Sequence, residues 1–136
     1  MRYRTFGFLV LALIVAASMA APLVAHHSFA AQYDSTKPVT LKGAVTKIEW
    51  NNPHVYFYID VKDEQTGKVA NWAFEMGAPA VIQRNGWTRN SMKIGDMVLV
   101  NGTRAKNGAN HGNARSVTMA STGKRLGAGS SEGVDQ

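Results

Sequence analysis

Between His54 and Val61 the chain alternates without a break. Val55, Phe57, Ile59 and Val61 fall on one side, and His54, Tyr56, Tyr58 and Asp60 on the other. A period of two places successive side chains on opposite faces of a pleated strand, so this segment is a strand with one buried face. The same kind of short run recurs along the chain, separated by turn residues, and this commits the middle of the molecule to an all-β plan. Val39 to Trp50 is strand-like, with Val39, Leu41, Val45, Ile48 and Trp50 as its apolar positions. Its alternation slips by one residue near Gly43 to Thr46, which predicts a bulge and a bend. Asn51-Asn52-Pro53 is a turn, and Asp63 to Lys68, containing Gly67, is a hairpin connection. Val69 to Met76 is the third strand, with Trp72, Phe74 and Met76 on one face.

Gly77-Ala78-Pro79 opens a short helix over Ala80 to Asn85, closed by Gly86. Proline in the first turn and glycine past the end is the expected asymmetry. Ser91 to Gly95 reads as a tight turn. Asp96 to Arg104 is the fourth strand, Ala105 to Asn113 a loop rich in Gly and Asn, and Ala114 to Ala120 the fifth strand. After Arg125 the composition turns to Gly, Ala and Ser, which predicts a flexible tail over 122–136. Three strands, a short helix and two strands are the order of a five-stranded Greek-key barrel of the OB type. The competing architecture is an open β-sandwich.

The N-terminus reads differently. Arg2 and Arg4 precede an uncharged apolar run from Phe6 to Ala17, followed by the small residues Ala16, Ala17, Ser18, Ala20, Ala21 and Ala25. The run is shorter than the roughly 20 residues a membrane-spanning helix needs. It has the three-part form of a secretory signal peptide. Cleavage after Ala20 or after Ala25 satisfies the small-residue rule. The second leaves a mature chain that starts at His26. The expected organisation is a signal peptide over 1–25, an arm over 26–38, a β domain over 39–121 and a tail over 122–136. The mature chain would be periplasmic or secreted, with no stable membrane anchor after cleavage. It would carry 13 basic and 9 acidic residues, a net charge of +4 spread along its length. Scattered charge of that size is a solubilising surface, and export removes nucleic acid as a partner.

Several strings together resemble a known family. They are His26-His27-Ser28-Phe29-Ala30-Ala31-Gln32-Tyr33-Asp34, Leu41-Lys42-Gly43, Glu49-Trp50-Asn51-Asn52-Pro53-His54, Asn71-Trp72-Ala73-Phe74-Glu75, Gly86-Trp87-Thr88-Arg89, Gly95-Asp96 and Asn113-Ala114-Arg115-Ser116-Val117. In these the chain is similar to the small exported bacterial proteins grouped as DUF6152. The resemblance spans roughly His26 to Gly129. It implies a signal peptide and a small exported β-rich domain, and it supplies no catalytic residues.

The chemistry therefore has to come from the side chains. The chain has no cysteine, which excludes disulfides, cysteine zinc sites and thiol nucleophiles. No serine sits in a nucleophile elbow, and no phosphate loop or dinucleotide fingerprint is present. Asp63-Glu64 falls in a hairpin tip. Asp60 is too far along the strand from His54 to form a dyad with it. Glu49 and Glu75 could approach across strands, with no acid or base role assigned to either. A binding module is thus favoured over an enzyme.

Two candidate sites follow. If the chain begins at His26, that residue offers an α-amine and an imidazole, and one further imidazole would complete a planar nitrogen set for Cu(II). His54 is the natural third nitrogen, His27 its competitor, and His111, in the predicted loop, the weakest candidate. The second site is aromatic. Trp50, Tyr56, Tyr58 and Trp72 could stack a sugar or another flat organic molecule on the outer face of strands two and three. The competing reading places Trp50 and Trp72 in the core and makes the tyrosines cross-strand cover. A structural or partner-binding protein with no small ligand is the third reading.

Overall fold

The computed structural model describes residues 29–132. A single helical turn over 29–32 leads into six strands: β1 (Tyr33–Trp50), β2 (Val55–Lys62), β3 (Val69–Glu75), β4 (Met97–Ala105), β5 (His111–Met119) and β6 (Arg125–Gly127). A short helix, α1 (Pro79–Arg84), lies between β3 and β4. The fold is all-β with one short helix between the third and fourth strands, as the strand pattern requires.

The sheet runs β3-β2-β1-β4-β5-β6, and a parallel pairing of β3 with β5 closes the row on itself. The first five strands thus form a ring, β1-β2-β3-β5-β4 and back to β1, and the two-layer sandwich is set aside. Only three register pairs make the closing seam: Ala73 with His111, Phe74 with Gly112 and Glu75 with Asn113. Val45, Val55, Phe57, Ile59, Phe74, Val98, Val100 and Val117 fill the interior and are essentially inaccessible to solvent.

Strand β1 is long because it serves two neighbours. Tyr33 to Ala44 pairs with β4, and Ala44 to Trp50 pairs with β2. The expected irregularity is present, as a register shift between Val45 and Lys47. Gly43 sits at the hand-over. A Cβ there would stand 2.6 Å from the carbonyl oxygen of Asp60, so the close crossing of β1 over β2 requires glycine. Helix α1 begins at Pro79, ends with its C-cap at Asn85 and is stopped by Gly86 at φ +91°. Its one buried residue is Ile82.

Three expectations about boundaries change. Residues 33–38, read as part of an arm, belong to β1, and Tyr33 is buried. Strand β5 starts at His111 rather than Ala114, because Gly112 lets the backbone pass the ring of Phe74: a Cβ would meet it at 2.8 Å. The segment read as a tail contains β6, which pairs with β5 and buries Leu126. Beyond it, the Gly77 N–H donates to the Ala128 carbonyl at 2.8 Å, and the indole N–H of Trp87 to the Gly127 carbonyl at 2.9 Å. Glu132 accepts from Thr103 at 2.6 Å and pairs with Arg115. The small residues there serve close approach, so a composition typical of disorder belongs to packed chain.

Candidate functional site

On β3, Trp72 and Phe74 point into the core, so Ala73 and Glu75 point outward. Glu75 is nonetheless only 6% exposed, because Tyr33 at the start of β1 reaches over it. A carboxyl group removed from water needs partners. Glu75 has three. The Tyr33 hydroxyl donates to its Oε2 at 2.6 Å, and the Tyr56 hydroxyl donates to the same oxygen at 2.9 Å. The His54 Nδ1 lies 2.7 Å from its Oε1. The two hydroxyls occupy one oxygen and the imidazole the other, so the group acts as an acceptor throughout.

Both tyrosines are changed by this. Burial, then the hydrogen bond to Glu75 and its charge, hold the Tyr33 phenol far above the ordinary tyrosine range. Burial first, then the Glu75 charge and hydrogen bond, raise Tyr56 in the same direction. Both hydroxyls therefore keep their protons. A second imidazole joins the group: His111 Nε2 lies 3.1 Å from the Tyr33 oxygen. Tyr33 has one hydroxyl proton, and it points to Glu75. His111 must then donate from Nε2–H, leaving Nδ1 as the acceptor nitrogen. Burial lowers the His111 pKa and the charge of Glu75 opposes this only partly, so the ring is neutral at pH 7. The Tyr33 and His111 rings meet edge to face, with centroids 5.5 Å apart, and Tyr56 lies 6.2 Å from His111.

His54 stands at the outer margin of this cluster, its side chain 40% exposed. In the neutral ring, Nδ1–H given to Glu75 leaves the lone pair on Nε2. A carboxylate behind an imidazole is also the arrangement that orients histidines in metal sites generally. The chain also enters the described fold here. The Phe29 ring packs on that of Tyr33 with centroids 5.2 Å apart. The Lys106 backbone N–H donates to the Gln32 carbonyl at 2.9 Å, and its ammonium donates to the Ala30 carbonyl. Between this turn and the β4–β5 hairpin lies a cavity of about 420 Å³, lined by Ala31, Gln32, Tyr56, Ala105, Lys106, Asn107 and His111.

Of the candidate metal ligands, His54 has the setting just described, and His26 and His27 lie outside the described residues, as does the expected signal peptide. Among the described residues no group of three or more His, Asp or Glu is gathered closely enough to hold a metal ion. His111 is on a strand and shares a partner chain with His54 through Tyr33 and Glu75. Of the aromatic set, Trp72 is 8% exposed and stacks on Phe74 at 6.1 Å, with Arg104 over its ring. Trp50 is half-buried under Arg89. Tyr58 is half-buried on the outer face, and its hydroxyl donates to Glu49 at 2.8 Å. Tyr56 alone of these four lines the cavity. Sequence reasoning did not place Tyr33 or Glu75 at the site. The contact between them joins residues 42 apart, and no local period encodes it.

Fold and site together define a small all-β protein with an OB-like strand ring and a buried carboxylate that organises two tyrosines and two histidines at one end. The family model described as a family of unknown function, DUF6152, matches residues 13–115, and the chain belongs to that family. No curated protein and no solved structure matches the chain.

Proposed function

We propose that the chain is exported, cleaved after Ala25, and binds Cu(II) as a small periplasmic or secreted module. The ligands are the α-amine and imidazole of His26 and the Nε2 of His54, with His27 as the competitor for the last position. The observation that carries this reading is the His54–Glu75 pair. The buried carboxylate holds the ring through Nδ1 and so orients it, as carboxylates behind metal-ligating histidines do. The position of chain entry supports it. His27 and His26 precede Phe29 by two and three residues, a reach of about 7 to 10 Å of extended chain. Phe29 itself packs on the tyrosine that holds Glu75. Nitrogen ligands in a planar set suit Cu(II), which also binds most tightly among the divalent first-row ions.

The test is the mass of the secreted protein, followed by Cu(II) titration read by electron paramagnetic resonance. A chain starting at His26 should give a tetragonal nitrogen-coordinated signal. His54→Ala should abolish tight binding. Glu75→Gln should weaken it by about 10- to 100-fold, the usual effect of removing such a supporting partner. An alanine inserted before His26 should remove the amine ligand and the signal. A chain starting at residue 21, or binding indifferent to His54→Ala, overturns the proposal.

A further inference from the structure

The cavity beside the helical turn is chemically unlike the His54 margin, and its reading is independent of copper. We infer that it binds a small hydroxycarboxylate, with the acid held by Lys106 and the hydroxyl by His111. The lining divides into two kinds of wall. One is made of donors. Lys106 is a cation whose ammonium has only the Ala30 carbonyl as partner among the described residues. Asn107 spends its side-chain oxygen on the Ala109 N–H at 3.0 Å, which leaves its NH₂ to face a ligand. Gln32 adds a second, exposed amide. Among the described residues no carboxylate lines the cavity. An ammonium and two amide donors match the acceptor-only oxygens of an ionised acid.

The opposite wall is His111 and Tyr56. Proton bookkeeping leaves His111 with Nδ1 as its uncommitted nitrogen, an acceptor that asks for an O–H. The Tyr56 hydroxyl is turned away to Glu75, so the residue presents its ring. Ala31 and Ala105 supply short apolar sides. The Glu75 charge behind Tyr56 is already met by three donors. A volume of about 420 Å³ falls in the range of small-molecule sites and has room for a flat group against Tyr56 beside the acid and hydroxyl.

Three probes separate these contributions: 3-phenyllactate, its uncharged amide, and 3-phenylpropionate, which lacks the hydroxyl. The mature protein is titrated with each in the presence of EDTA, so that the result does not depend on copper, and amide and imidazole resonances are followed by NMR. Phenyllactate should bind saturably, with a Kd of about 1 mM or tighter, and move the signals of Gln32, Lys106, Asn107 and His111. The amide and the deoxy acid should each bind at least about tenfold more weakly, a difference of about 1.4 kcal/mol. Lys106→Gln retains a donor for Ala30 and removes the charge. It should erase the preference for the acid over the amide. Equal binding of the three probes, equal binding by wild type and Lys106→Gln, or no saturable binding of phenyllactate overturns the inference.

Discussion

Glu75 is the residue on which most of the site depends. Three side chains from β1, the turn before β2, and β2 itself spend their donors on it, and a fourth, His111, is oriented through Tyr33. Removing the charge while keeping the shape, as Glu75→Gln does, should cost roughly 2 kcal/mol at pH 7, because buried donors lose a charged acceptor. The tyrosines give the pH dependence. In the unfolded chain a phenol ionises near pH 10, and in the folded chain Tyr33 and Tyr56 hold their protons well above that. A raised folded pKa means stability that is complete below about pH 10 and is lost as the pH climbs toward the folded values. The urea midpoint should therefore fall from about pH 10 upward, and less steeply in Glu75→Gln, which lacks the charge that helps hold the protons on. At this scale the sequence showed His54 and Tyr56 as an outward-facing pair, because a period of two fixes a face. It could not show what faced them. Tyr33 reads as an arm residue until β1 is seen to run past its pairing with β2.

Among the elements, β6 is the one whose role was hidden. Its three residues, Arg125 to Gly127, sit among glycines, alanines and serines. Their contribution is a ladder along β5 and one buried leucine, held by backbone carbonyls that Trp87 and Gly77 need. Leu126→Ala should lower stability by about 2–5 kcal/mol, the range for truncating a buried aliphatic side chain, and a thermal melt reads it directly. A flexible tail would show no change. Strand β2, helix α1 and the bend in β1 were legible because each has a local signature: alternation, Pro79 with Gly86, and a slipped register beside Gly43. The start of β5 was not, since His111-Gly112-Asn113 has the composition of a turn. There the ring of Phe74 demands the glycine, and that ring comes from β3.

For the whole molecule, the parallel seam between β3 and β5 is the shortest of the pairings that make the ring. With only three register pairs, the seam has the least ladder to offset the entropy of closing the chain between residues 73 and 113. Hydrogen exchange should find the amides of residues 73–75 and 111–113 exchanging faster than those in the middle of the β1–β4 and β4–β5 ladders, through openings smaller than global unfolding. Uniform protection across the ring would contradict this.

Two of the six residues stitched together in that seam, Glu75 and His111, are also the residues around which the tyrosines and imidazoles gather. A metal or organic acid bound here as proposed would favour the fastened state over the unfastened one by its own binding free energy. Such a ligand would be a clasp for the fold that carries it, and the empty molecule would be the one more open to a protease.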